Sequence, residues 1–229
     1  MKLLRISLLV CCMFIVFLSV NAQAHYESRV SVGAKAGMTL SRTAFTPAVP
    51  QLFLPGYMAG LTFRYSEEKN FGLLMEVNME QRGWNENFEE APFQYSRKFT
   101  YIQVPILTHV FFGSTKVRGF FNAGPEIGYM INESVSSNFD VNDIKNIEGF
   151  PYYNRNNEQL TLPVKNKIDY GISAGAGLEL IAKRKNSFML EGRFYYGLGN
   201  IFGSRKKDAF SASTGMSIMV TLSYMYRLK

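Results

Sequence analysis

Few residues in this chain have the type and spacing that catalysis requires. Its 229 residues include two histidines, His25 and His109, and a serine nucleophile without a histidine nearby lacks its usual base. Glu76 and Glu80 are spaced for paired acid–base work, but structural pairing with neighbouring arginines is the favoured interpretation. We therefore predict that the protein is not an enzyme and has no catalytic residues.

Metal and nucleotide signals are equally weak. The segment DVND, Asp140 to Asp143, lacks the third oxygen ligand and the glycine of a calcium loop. The glycine-rich segments GISAGAG and GLGNIFG follow a strand pattern and are not strand-to-helix phosphate loops. No pattern of an RNA- or DNA-binding module is present. We predict no cofactor, no metal site and no nucleic-acid partner.

The N-terminus has a separate role. Basic residues precede an apolar run from Ile6 to Val20, which ends before Ala22-Gln23-Ala24. This order predicts a cleaved secretory signal peptide at residues 1–24, followed by one domain at residues 25–229. Both cysteines of the chain lie in the signal peptide. The exported domain has no disulfide, so burial or a membrane must stabilise it.

A two-residue alternation runs through the remaining sequence. In RVSVGAKAGMTLS, Arg29 to Ser41, apolar residues occupy every second position and polar residues or glycine the others. This period indicates a β-strand with one apolar and one polar face. Eight segments have it: Arg29 to Ser41, Leu54 to Ser66, Phe71 to Trp84, Lys98 to Phe112, Val117 to Ile131, Asn166 to Ala182, Ser187 to Asn200, and Gly215 to Leu228.

The connections between these segments alternate in length. Three short connections alternate with four longer ones, and the first and last are long. The longer connections are Arg42 to Phe53, Asn85 to Arg97, Asn132 to Lys165, and Ile201 to Thr214. Outer-membrane barrels have short periplasmic turns and longer extracellular loops in the same alternation. An even number of strands then leaves both termini in the periplasm.

The distribution of charge distinguishes a membrane barrel from a soluble one. The apolar faces carry almost no charge over about ten residues, the length of a tilted membrane-spanning strand. An eight-stranded membrane barrel packs the polar faces into its narrow interior, where charges need partners. We predict a structural lumen ionic network of Lys35, Arg64, Glu76, Glu80, Arg82, Arg118, Glu126, Lys167, Asp169, Glu179, Glu191 and Arg193.

Aromatic residues on the apolar faces sort by depth. Ordinary strand preference explains their number but not this sorting, whereas a membrane barrel needs an aromatic girdle at each interface. The predicted periplasmic girdle is Tyr65, Phe71, Phe112, Phe188 and Tyr226, and the predicted outer girdle is Tyr57, Tyr129, Tyr170 and Tyr196.

Several segments resemble a known family. YIQVPIL followed by NAGPEIGY is the most specific pair, and MEVNMEQRGW, YGISAGAGLEL and VTLSYMYRLK add to it. They resemble the small outer-membrane β-barrel family of Bacteroidota that is often called PorT-like, over essentially all of Val30 to Lys229. PorT itself is associated with protein secretion across the outer membrane. No motif in this chain separates a secretion component from an ordinary barrel.

These observations predict an all-β, eight-stranded, antiparallel up-and-down transmembrane β-barrel in the cell outer membrane. Its lumen is too narrow for a solute pore, so we expect a structural or interaction role. The expected partners are outer-membrane lipid, lipopolysaccharide near Ser204 to Asp208, and a protein at the loop containing Phe150, Tyr152 and Tyr153. The alternatives are an accessory component of protein secretion, a lipid-acting barrel enzyme and a soluble ligand-binding barrel.

Overall fold

A computed structural model describes residues 28–228 except 69, 90, 154 and 184, so the predicted signal peptide lies outside the described residues. Within these ranges there is one short helical turn, Glu158–Leu160, and no helix is long and apolar enough to cross a membrane. The strands are β1 (Arg29–Thr46), β2 (Gln51–Leu52), β3 (Leu54–Ser66), β4 (Phe71–Glu86), β5 (Tyr95–Gly113), β6 (Val117–Ser137), β7 (Ile168–Ala182), β8 (Asn186–Asn200) and β9 (Ala212–Arg227).

Eight of these strands close into a barrel. Neighbours in sequence pair antiparallel from β3 to β9, and β1 pairs with both β3 and β9 to complete the ring. The two-residue strand β2 adds to the end of β4, where Gln51 pairs with Glu86. Closure leaves no exposed sheet edge along the barrel. The predicted all-β, eight-stranded, up-and-down barrel is confirmed.

The two ends of the barrel differ. Short turns at residues 67–70, 114–116 and 183–185 form one end, which we call the turn end. The connections at residues 47–53, 87–94, 138–167 and 201–211 form the other, which we call the loop end.

Several strands continue past their predicted limits at the loop end. β1 runs to Thr46 rather than Ser41, and β6 runs to Ser137 rather than Ile131. The cause is continued pairing, because Thr46 still pairs with Ala212 and Ser137 with Tyr95. Backbone hydrogen bonds between strands do not depend on side-chain type. The strands can therefore continue beyond the point where the apolar alternation ends.

The outward-facing large side chains form an apolar belt around the barrel. They are exposed, whereas the residues between them face inward and are mostly buried. The belt comprises the outward residues of Val32 to Leu40, Tyr57 to Tyr65, Phe71 to Met79, Ile102 to Phe112, Val117 to Ile131, Ile168 to Leu180, Phe188 to Leu198, and Ile218 to Tyr226.

The polarity of the two faces inverts above the belt. Along β1 the inward residues at belt level include Lys35 and Thr39, which are buried, while Met38 faces outward and is 75% exposed. Beyond the belt the inward residue is the buried Phe45, and the outward residue Thr46 is exposed. One strand therefore presents a polar interior at belt level and an apolar interior at the loop end.

Candidate functional site

The lumen at belt level holds two groups of charged side chains. The central cluster is Lys35, Glu76, Glu191 and Arg193, carried by β1, β4 and β8. Arg193 binds Glu76 through both guanidinium nitrogens at 2.8 Å, and Lys35 Nζ lies 3.0 Å from Glu76 Oε1 and 3.5 Å from Glu191 Oε2. Two cations and two carboxylates balance, so this cluster neutralises itself inside the barrel.

The second group lies nearer the loop end and is unbalanced. This loop-side cluster consists of Arg82, Glu80, Glu126 and Asp169, and Arg82 contacts all three carboxylates. Its Nη2 lies 3.0 Å from Glu80 Oε2, and its Nη1 donates to Asp169 Oδ2 at 2.9 Å. The guanidinium also stacks 3.7 Å from the ring centroid of Tyr195. Aromatic stacking and bidentate geometry suit a buried arginine.

A third charged group of the lumen lies closer to the turn end. Arg64 Nη2 donates to Glu179 Oε1 at 2.8 Å, and Ser187 Oγ donates to the same oxygen at 2.7 Å. Arg118, also predicted for the lumen network, is half-buried, and its guanidinium lies 5.1 Å from the centroid of the Phe111 ring. These groups extend the charged lumen wall toward the turn end.

Lys167 is a correction to the predicted set. Its side chain is exposed and it precedes β7, which begins at Ile168 rather than Asn166. Its carbonyl accepts a hydrogen bond from the Met130 amide at 2.8 Å. The predicted strand began two residues too early, because the polar residues there continued the alternation without being part of the barrel wall.

Glycines on the inward face make room for side chains of the adjacent strand. A Cβ at Gly171 would stand 2.7 Å from the Tyr195 ring, and one at Gly60 would stand 2.1 Å from Asn78 Oδ1. At Gly175 it would stand 2.8 Å from Glu191 Oε1. Side chains of the adjacent strands therefore pack closely over these inward-facing glycines.

His109 occupies the lumen between the central cluster and the turn end. It is fully buried between the rings of Phe111 and Phe120, and its Nδ1 lies 2.7 Å from Asn122 Oδ1. Asn122 Nδ2 in turn donates to Glu191 Oε1 at 2.8 Å. The histidine is thus part of the polar packing, at the end opposite the loops.

The nine predicted girdle aromatics all face outward. Tyr57, Tyr129, Tyr170 and Tyr196 are exposed on the loop-end side of the belt. Of the other five, four are exposed and Tyr65 is half-buried; these five are Tyr65, Phe71, Phe112, Phe188 and Tyr226.

An apolar cluster closes the barrel at the loop end. This loop cap combines strand ends with all four long connections, and its buried members are Phe45, Val49, Trp84, Phe88, Tyr95, Phe99, Tyr101, Met130, Leu160, Ile201, Phe202 and Phe210. The Phe45 ring stands edge-on to Trp84 at 5.1 Å and lies 4.9 Å from Phe210. Aromatic packing of this kind is typical of a soluble protein core.

Two arginines tie the loops to the cap. Arg97 lies 5.2 Å from the Phe202 ring, donates from Nη1 to the Gln159 carbonyl at 3.1 Å and pairs with Glu133. Arg155 donates to the Asn87 carbonyl at 3.0 Å and pairs with Glu86.

Glu86 stands above the apolar belt and is the centre of this attachment. It accepts hydrogen bonds from Trp84 Nε1 at 3.0 Å and Gln159 Nε2 at 3.1 Å. Burial raises the pKa of the Glu86 carboxyl, and the charge of Arg155 opposes that rise. Trp84, Arg97 and the rest of the cap were not predicted from the sequence, although the inward parity of these two residues continues that of the lumen.

The longest loop divides into a packed part and an exposed part. Phe150 packs 5.0 Å from Phe93 and 5.1 Å from Phe139, beside the cap. Tyr153, by contrast, is 94% exposed, and its ring meets Tyr152 edge-on at 5.2 Å. An open cleft of about 840 Å³ lies beside Tyr152. Of the three aromatics predicted to contact a partner, Phe150 packs beside the cap, Tyr152 is half-buried and Tyr153 is exposed.

Comparison with known proteins agrees with this architecture. A family profile described as "Outer membrane protein beta-barrel domain" matches residues 21–203. No curated protein matches the chain in sequence.

Solved structures share the fold at low sequence identity. Neisserial surface protein A (NspA) aligns with a TM-score of 0.50 and 9% identity, over 88% of this chain and 99% of its own. The outer membrane protein OprG from Pseudomonas aeruginosa aligns with a TM-score of 0.54 and 9% identity, over 90% and 98%.

Proposed function

Because the chain belongs to the outer membrane protein beta-barrel domain family, we propose that it is an outer-membrane barrel of structural or interaction type. The observation that carries this proposal is a lumen filled by ion pairs and covered by the loop cap. A filled, covered lumen supports no solute pore, and it holds the loops as a fixed surface that other molecules can bind.

Planar-bilayer recording of the purified barrel tests this proposal. We expect no steady conductance, because the central cluster, the loop-side cluster and the cap lie one above another. A stable open channel in the unmodified protein would contradict it. A variant without residues 138–167 loses part of the loop cap but keeps the lumen clusters. Its conductance therefore shows whether the lumen clusters alone block ion flow.

The orientation is part of the proposal. We place the turn end and both termini in the periplasm and the loop end outside the cell, with export by a signal peptide at residues 1–24. Protease treatment of intact cells should cleave only in the long loops. Cleavage confined to the turns would contradict this orientation.

Basic residues at the loop end support contact with lipopolysaccharide. Lys165 and Lys167 are exposed, as are Arg205, Lys206 and Lys207 in the last long loop. The Lys165 amide donates to the carbonyl of Ile201, the first residue of that loop, so the two basic segments lie close together. Phosphate groups of lipid A suit such lysines. Replacing Lys206 and Lys207 with glutamine should weaken binding of purified lipopolysaccharide. Unchanged binding would limit lipid contact to the apolar belt.

The exposed Tyr153 and the half-buried Tyr152 beside it support a protein partner. Tyr152 and Tyr153 present amphipathic rings beside a cleft, a composition that protein interfaces favour. Crosslinking from position 153 in living cells should capture a specific partner. A spectrum of products no different from that of a control position in another exposed loop would contradict this part of the proposal.

The PorT-like resemblance supports a second candidate, an accessory role in outer-membrane protein secretion. Its two most specific segments, YIQVPIL and NAGPEIGY, lie side by side on β5 and β6, where Val104 pairs with Ile127. Normal secretion of exported proteins in a deletion strain would reject this role.

We propose no catalysis. The buried His109 binds Asn122 on the turn-end side of the lumen, away from the loops. A changed lipid A profile after deletion of the gene would favour the alternative of a lipid-acting enzyme.

A further inference from the structure

Arginines gather on the inward wall at the turn end. Ser31 of β1 pairs with Arg64 of β3 on one side and with Arg227 of β9 on the other, and Arg29 lies two positions nearer the end. Since neighbouring strands lie about 4.8 Å apart, the Cα atoms of Arg64 and Arg227 stand roughly 10 Å apart. Arg118, on β6, faces inward from another part of the wall. We call these four the mouth arginines.

An apolar layer closes the lumen directly behind them. It consists of Phe111, Phe120, Met189 and Met225, all buried. Arg64 Nη1 lies 3.7 Å from the sulfur of Met189, so the guanidinium rests on this layer. The opening at the turn end thus combines a cationic wall with an apolar layer behind it, and we call this combination the cup.

The turn end as a whole has an excess of positive charge. Its described basic residues are seven in number: Arg29, Arg64, Lys116, Arg118, Lys183, Lys185 and Arg227. Its described acidic residues are three: Glu67, Glu68 and Glu179. Among the described residues of the loop end outside the lumen, ten are basic and eight are acidic. The net charge of this barrel is thus concentrated around one opening.

Like charges on adjacent strands disfavour the fold unless a counter-charge is present. Glu179 accepts from Arg64 and supplies part of that charge. Arg29, Arg118 and Glu68 each have an interaction of their own, and the excess of seven cations over three carboxylates counts all of them.

We propose that this cationic cup binds an acidic peptide segment of a periplasmic partner. Arginine forks match carboxylates in a bidentate manner. The basic turn residues extend the positive surface around the rim, which a chain of several carboxylates fills better than one small anion. The mouth arginines face inward, whereas Val30 and Tyr226 face outward. The apolar outer wall therefore separates the arginines from lipid headgroups in the membrane, which favours a peptide over a lipid as the ligand.

Binding of a fluorescein-labelled deca-glutamate peptide to the full barrel in zwitterionic lipid nanodiscs tests the proposal. Both faces are accessible in a nanodisc, so the result does not depend on the proposed orientation, which protease treatment of cells tests separately. The test variant is Arg29→Gln/Arg227→Gln, which leaves the Arg64–Glu179 pair intact. The matched control is Arg42→Gln/Lys98→Gln, which removes the same charge at the loop end, away from the basic residues proposed to contact lipopolysaccharide.

We expect salt-sensitive binding whose Kd rises at least about tenfold in the mouth variant and less than about twofold in the control. No binding by the unmodified barrel at low ionic strength, or equal weakening in both variants, would overturn the proposal. If the mouth variant fails the heat-modifiability gel that reports folding, Arg227→Gln alone replaces it, with Arg42→Gln as its control.

Two competition arms separate the peptide from other anions. Inorganic phosphate that displaces the peptide at equal concentration of charge would assign the cup to small anions and overturn the peptide assignment. If the peptide binds in zwitterionic nanodiscs but not in nanodiscs made with phosphatidylglycerol, the cup binds a lipid headgroup. That result would also overturn the peptide assignment. Binding that survives both arms supports the proposal.

Discussion

The lumen at belt level and the loop cap solve opposite packing problems with the same strands. At belt level the inward residues include the charged clusters and the outward ones are apolar, as Lys35 and Met38 show on β1. In the cap the inward residue is Phe45 and the outward one Thr46. The surroundings account for the difference, because lipid favours apolar outward residues and water favours polar ones. The level of inversion therefore marks the membrane boundary.

The two regions also differ in how a mutation acts. In the lumen, stability depends on matched charges, and removing one partner leaves the others buried without compensation. In the cap, stability depends on packed aromatic volume, and removing a side chain leaves a cavity. The predictions below use this difference, from the largest expected effect to the smallest.

Glu76→Gln should destabilise the barrel most. Glu76 binds both Arg193 and Lys35, so its loss leaves an excess positive charge in the central cluster. We expect a loss of about 3–5 kcal/mol in the free energy of unfolding, measured by urea titration of the folded barrel in lipid vesicles. The exposed Glu89→Gln is the control, and equal stability of the two variants would refute the role given to the cluster.

Trp84→Ala should cost about 3–5 kcal/mol locally, as large aromatic truncations in cores do. Trp84 is fully buried in the cap, so the loops should loosen while the belt stays folded. Chymotrypsin should then cut within residues 138–167 and leave the barrel heat-modifiable. Tyr153→Ala, at a position that is 94% exposed, is the control. Global unfolding of the tryptophan variant would show that cap and belt are not separate.

An arginine at an outward position should be harmful in the belt and tolerated above it. Ala36→Arg places a charge against the membrane midplane and should cost about 2–4 kcal/mol. Thr46→Arg on the same strand faces water and should change stability by less than about 0.5 kcal/mol. Folding yield into vesicles measures both. Similar yields for the two variants would contradict the inversion.

Of the destabilising variants, Arg155→Ala should lose the least stability, and the size of this loss should depend on pH. It removes a donor to the Asn87 carbonyl and the partner of Glu86, at about 1–3 kcal/mol. Burial already raises the pKa of Glu86 in the folded cap, and without Arg155 it rises further. The folded state then binds the proton more tightly, so lowering the pH through that pKa should restore stability. Hydrogen exchange at residues 87–94 measures this, and pH-independent exchange would oppose it.

The sequence predicted the barrel well because alternation records which face each residue takes. The inward positions of Lys35, Glu76 and Arg193 follow from parity alone. Their partners do not, since contacts across the lumen depend on ring closure and strand register. For the same reason nothing in the sequence indicated that Arg82 would meet three carboxylates from different places along the chain.

The cap was missed because alternation does not record what surrounds a strand. Phe45, Trp84 and Phe99 are aromatic residues at strand ends, and in sequence they resemble girdle residues. Only their parity differs. The first predicted strand stopped at Ser41, before Phe45, whereas Trp84 and Phe99 lay inside predicted strands at inward positions. Lys167 shows the converse error, a polar residue that kept the pattern outside the strand.

Site-directed spin labelling along β1 tests the inversion most directly. Both natural cysteines, Cys11 and Cys12, lie in the predicted signal peptide, so single labels can be placed at Val32, Ala34, Ala36, Met38, Leu40, Arg42, Ala44 and Thr46. In lipid vesicles we predict that oxygen broadens the labels from Val32 to Leu40 and that a water-soluble nickel reagent broadens those from Arg42 to Thr46. Access to oxygen or to nickel that does not change along the strand would contradict the account.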